Sequence, residues 1–91
     1  MLTVTESAKD KLMETLIANT DDRKAGLRLV MKPPGQLGLV LDRELPGDSV
    51  VKHEGLKLLL IEHEVAELLQ EATLDVQDAP DGPRLTISQG R

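Results

Sequence analysis

The 91-residue chain contains no cysteine and no phenylalanine, tyrosine or tryptophan. Without cysteine it has no disulfide framework, no thiolate nucleophile, no cysteine-type zinc site and no cysteine-ligated iron–sulfur cluster. Without aromatic rings its core must be aliphatic, each buried Leu, Val, Ile or Met contributing about 1.5 to 3 kcal/mol. The same absence removes the platforms on which unpaired bases stack, and a formal charge of -5 repels a phosphate backbone, so no nucleic-acid partner is expected. Long apolar runs are missing too. The longest, residues 56–61, is interrupted by Lys57 and falls far short of the roughly 20 residues that span a bilayer. The N-terminal residues lack the basic start and apolar stretch of a signal peptide, so the expected compartment is the cytoplasm, with no membrane partner. Repeats and low-complexity segments are absent, and the length suits one small domain over residues 1–91.

What is present is organised around residues 26–41. Leu27, Leu29 and Met31 alternate with other residues before Pro33, Pro34 and Gly35, and Leu37, Leu39 and Leu41 alternate after them. That pattern predicts two half-buried strands joined by a constrained, exposed loop over residues 33–38. Upstream, residues 2–4 read as a short first strand at a sheet edge. Thr5 is placed to cap a helix over residues 6–18, whose stripe is Ala8, Leu12, Met13, Leu16 and Ile17. Residues 21–24 are charged and read as a solvated connector. Downstream, Pro46 and Gly47 mark a turn, residues 49–53 a strand, and Glu54 with Gly55 a two-residue hairpin connection. The nearly continuous apolar run 56–61 predicts a strand covered on both faces. Val65, Leu68, Leu69 and Ala72 then recur at helical spacing, predicting a second amphipathic helix over residues 62–72. Short strands at 73–76 and 84–87 flank a turn-rich break. The order predicts an α+β domain of mostly antiparallel strands with two amphipathic helices packed on them. Leu29, Leu39, Leu58, Leu60 and Leu68 are its expected core.

Several of these segments together resemble the A-type iron–sulfur carrier family (HesB/IscA-like). The likeness is carried by Leu2, Thr3, Val4, Thr5 and Ala8 at the start, by Gly26, Leu27, Arg28 and Leu29 in the centre, and by the Gly-x-x-Gly spacing of Gly35 and Gly38. It continues through Val51, Gly55, Leu56, Lys57, Leu58 and Leu59 to Leu74, Asp75 and Val76, and so covers almost the whole chain. The resemblance implies the HesB-like fold. It also implies cluster ligands, a cysteine in the Gly-x-x-Gly loop and a Cys-Gly-Cys pair further on. The first position is Gln36, and residues 88–91 supply no cysteine. An amide does not replace a soft, anionic thiolate on iron, so no cofactor is expected.

Other chemistries find little support. His63 and Glu67 stand one helical turn apart, but the second histidine of a His-Glu-x-x-His site is missing. His53 reads as a strand-end residue, and neither histidine is assigned a metal. The glutamates at 62, 64, 67 and 71 read as the wet side of a helix, and Ser7, Ser49 and Ser88 lack a nucleophile-elbow context, so no enzyme is expected. The leading reading is a cluster-free interaction or regulatory module. Its contact surface is Gly35, Gln36, Leu37 and Gly38, and its partner is a protein of the iron–sulfur assembly machinery or a second copy of the chain. A metal-handling protein using histidine and carboxylate ligands, and an undetected small-molecule enzyme, stand as alternatives.

Overall fold

The computed structural model describes residues 2–32, 36–80 and 82–89. In chain order the elements are β1 (Thr3–Val4), α1 (Glu6–Asn19), β2 (Ala25–Lys32), β3 (Gln36–Arg43), β4 (Ser49–His53), β5 (Leu56–Ile61), α2 (His63–Leu68), β6 (Ala72–Ala79) and β7 (Gly82–Gln89). They form a three-stranded sheet ordered β1-β6-β7 and a four-stranded sheet ordered β3-β2-β5-β4. The pairings β2/β3, β4/β5 and β6/β7 are antiparallel, while β1/β6 and β2/β5 are parallel. The mixed α+β architecture is the one the sequence predicts, and β1 does lie at a sheet edge.

Helix α1 begins where a hydroxyl can satisfy its free amide. The Thr5 Oγ1 accepts from Ala8 N at 3.1 Å and donates to Asp75 Oδ1 on β6 at 2.7 Å. One side chain thus caps the helix and ties it to the far end of the chain. The helix buries Ala8, Leu12, Met13 and Leu16, and the last three join Leu27 and Leu29 of β2, Leu59 and Ile61 of β5, and Leu74 of β6 in one core. Ile17, counted in the predicted stripe, is 62% exposed because it sits at the rim of that contact.

Strand β5 is covered on both faces, with Leu58, Leu59 and Leu60 each at 0% exposure. Its parallel neighbour approaches closely: a Cβ on Gly26 would lie 2.6 Å from the Lys57 carbonyl oxygen, so only glycine fits there. The β4–β5 hairpin turns on Glu54 and Gly55, at φ 52° and 81°. Two successive positive φ values suit the right-handed twist of the paired strands.

The second helix departs from expectation. It closes at Leu68, and Leu69 N bonds back to Val65 O before residues 70–71 turn the chain into β6. Ala72 therefore belongs to a strand. With fewer than two turns, the helix presents Val65 and Ala66 to the core and leaves Leu68 67% exposed, while Leu69, at 3%, takes the buried place expected of it. Leu39 is half-buried, whereas Leu29, Leu58 and Leu60 are fully buried as expected. Urea denaturation should show Leu58→Ala losing about 2 to 5 kcal/mol. Leu68→Ala should stay within about 0.5 kcal/mol of the parent.

Candidate interaction site

The predicted contact residues fall at the start of β3. Gln36, Leu37 and Gly38 are ladder residues, paired with Lys32, Met31 and Val30 of β2. They are strand, not loop, because the alternation of Leu37, Leu39 and Leu41 carries the pairing up to Gln36. Gly35, with Pro33 and Pro34, lies outside the described residues, as does the direction of the Gln36 side chain. Leu37 and Gly38 are half-buried. Beyond them Val40 is 43% and Leu41 44% exposed.

A second feature holds this hairpin in place. Arg28, in the middle of β2, is 6% exposed. Its Nε donates to Asp42 Oδ2 at 2.7 Å, its Nη1 and Nη2 donate to the two oxygens of Asp48 at 3.0 and 2.7 Å, and Nη2 also donates to the Arg43 carbonyl at 3.1 Å. Asp48 in turn accepts from Leu45 N at 2.8 Å. The fork-on-carboxylate geometry explains why arginine, and not lysine, occupies this place. The chain between β3 and β4 must cross from one edge of the four-stranded sheet to the other, about 14 Å at a strand spacing near 4.8 Å. Arg28 grips that crossing from β2, and Lys57 grips it from β5 through Glu44 at 3.1 Å. The Arg28 guanidinium holds the Asp48 carboxyl below the usual carboxylate range. Asp42 is lowered by the Arg43 amide and then by Arg28. Sequence reasoning noted Arg28 within a motif and gave it no role. The available signal was a cation inside an otherwise apolar strand.

The histidines sit on separate elements. His63 Nε2 lies 2.9 Å from Glu67 Oε1 on the exposed face of α2. His53, at the end of β4, is 3.7 Å from both Asp10 and Glu54. Among the described residues no three His, Asp or Glu side chains are grouped to hold a metal ion. A cleft of about 360 Å³ between β4 and α2 is lined by Val50, Val51, Ile61, Ser49, His63 and Glu67. A second, of about 250 Å³, opens beside β3 and is lined by Leu12, Leu39, Val76 and Leu85, with Lys11 and Arg84 at its margin. No helix is long and apolar enough to cross a membrane among the described residues.

Comparison with solved structures settles the fold. Escherichia coli SufA, described as involved in biosynthesis of iron–sulfur clusters, superposes with a TM-score of 0.72 at 21% identity, over 97% of this chain and 84% of that one. The fold is that of SufA and IscA. IscA, solved with a [2Fe-2S] cluster, gives a TM-score of 0.65 at 20% identity, covering 98% of this chain and 85% of IscA. A protein from Aquifex aeolicus, solved by solution NMR, gives 0.72 at 24% identity, covering 97% and 90%. The sequence matches no family model and no curated protein. The donors present do not fit a cluster held by thiolates, since the 91 residues contain no cysteine and the two histidines lie on different elements.

The Arg28 network contributes to the acid response of the fold, beside Asp22 and Asp75, whose carboxyl groups are also held below the usual range by their hydrogen bonds. The Asp42 and Asp48 pKa values are depressed in the folded state, so their stabilisation is present above the unfolded carboxyl value of about 3.9 and is lost as pH falls through the folded values. The melting temperature should therefore drop on acidification below about pH 4. Asp48→Asn should flatten that drop while costing about 3 to 5 kcal/mol at neutral pH, because it leaves a buried cation under-compensated.

Proposed function

We propose that the chain acts in the cytoplasm as a non-enzymatic interaction or regulatory module of iron–sulfur cluster assembly, binding protein partners of that machinery without carrying a cluster itself. One observation carries the reading: the SufA and IscA fold is retained over almost the whole chain while no thiolate is available. A fold kept without its ligands still presents its surfaces. The contact is assigned to Gly35, Gln36, Leu37 and Gly38. Leu37 and Gly38 stand half-buried at the start of an edge strand, where a partner can reach them. The metal-handling alternative has no group of three or more His, Asp or Glu side chains placed to hold an ion among the described residues to favour it.

Anaerobic treatment with iron and sulfide tests the cluster-free part. The desalted protein should show no cluster absorbance and no bound acid-labile sulfide. A Gln36→Cys variant should also bind poorly, since it restores one thiolate per chain. A stoichiometric cluster on the parent protein would overturn this half of the reading. The partner half is tested by titrating the protein against purified, cluster-loaded SufA or IscA from the same source. Saturable binding is expected, with the cluster remaining on the carrier, and Leu37→Asp should weaken it. No binding to either would remove the assembly role.

A further inference from the structure

We propose that the cleft beside β3 binds a small amphipathic anion, an aliphatic monocarboxylate whose tail lies on the leucine floor and whose carboxylate meets Lys11 and Arg84. The site is independent of any role in cluster assembly. Its floor is Leu12 of α1, Leu39 of β3, Val76 of β6 and Leu85 of β7, so one helix and both sheets contribute to it. Val76 and Leu85 are ladder partners and share one face of the three-stranded sheet, while Leu39 comes from the edge of the other sheet. Leu12 is buried, but Leu39, Val76 and Leu85 are only half-buried. Three aliphatic side chains from three strands therefore converge on a gap that the chain itself does not fill. Its 250 Å³ is the space of about eight waters at ~30 Å³ each, enough for the seven-carbon tail of octanoate.

The charge at the mouth selects the head group. The chain has 16 acidic residues against 11 basic ones, yet the charged residues lining this cleft are Lys11 and Arg84, with no carboxylate among the described lining residues. The cleft between β4 and α2 carries Glu67, and a third, floored by Leu16, Ala25 and Leu56, carries Asp21 and Asp22. A cationic rim over an aliphatic floor suits an anion with an apolar tail and disfavours a cation with the same tail. Lys11 pairs with Glu14 at 4.0 Å, with both side chains exposed, a contact that a ligand carboxylate can displace. Arg84 keeps a contact of its own, and the five donors of a guanidinium allow it to share them with a carboxylate. The Thr15 hydroxyl donates to the Lys11 carbonyl at 3.0 Å, which leaves recognition of the head group to the two cations.

Titration of the methyl-labelled protein with octanoate, followed by two-dimensional NMR, tests the site. The methyl signals of Leu12, Leu39, Val76 and Leu85 should shift saturably, with a Kd of about 1 mM or tighter. Octylammonium, which carries the same tail and the opposite charge, should bind roughly tenfold more weakly or worse. Octanoate should lose a similar factor on Lys11→Glu, a change at an exposed side chain that leaves the floor intact. No shift up to about 10 mM octanoate, equal affinity for octylammonium, unchanged affinity in Lys11→Glu, or shifts centred on Val50 and Val51 of the other cleft would each overturn the proposal. If Lys11→Glu fails to fold, Lys11→Met and the comparison of the two ligands on the parent protein decide.

Discussion

Taking a guanidinium out of water costs several kcal/mol unless its donors are met, and Arg28 meets that demand with two aspartates and a carbonyl. The geometry matters more than the energy of the pair. Each partner comes from a different point on the path between β3 and β4: Asp42 inside β3, Arg43 at its end, and Asp48 just before β4 begins. A single side chain thus fixes where an edge strand stops, how the chain crosses the sheet and where the opposite edge starts. Gly26, two residues earlier on the same strand, removes the side chain that would otherwise push β2 away from β5. The central strands approach closely because one residue is too small to prevent it and another is charged enough to anchor what lies beyond.

The two helices contribute unequally to that frame. Helix α1 spans both sheets, whereas α2 is a short bridge whose main service is to turn β5 into β6 and bury Leu69. The wet side of α2, with His63, Glu67 and Leu68, is therefore peripheral to the packing. The apolar surface left open gathers instead along β3, on the side away from β4.

Much of the fold was legible because its signals are local. Period-two alternation located β2 and β3, the Glu54 and Gly55 pair located the hairpin, and Thr5 located the helix cap. The second helix was misjudged for a physical reason. Val65, Leu68, Leu69 and Ala72 fit one helical face, but nothing in that spacing reveals that Ala72 is claimed by β6 for pairing with Gln89. A tertiary ladder outweighed a helical period. The candidate site was half legible: leucine alternation marked the edge strand, but a loop-like Gly-x-x-Gly pattern hid the fact that Gln36 to Gly38 are ladder residues. The partners of Arg28 were not legible, since its two acids lie 14 and 20 residues away and carry no shared motif, and only a cation within β2 marked the place.

The tie between Thr5 and Asp75 joins residues 70 positions apart, and β1 pairs with β6 beside it. On a ribosome, α1 is made early, but neither its cap anchor nor the strand that precedes it has a place to rest until β6 has been synthesised. Its apolar stripe must wait as well, because Leu59, Ile61 and Leu74 arrive in the second half of the chain. Closing so long a loop before native contacts reward it slows folding. The stripe of α1 is therefore fully covered only once β5 and β6 have been made.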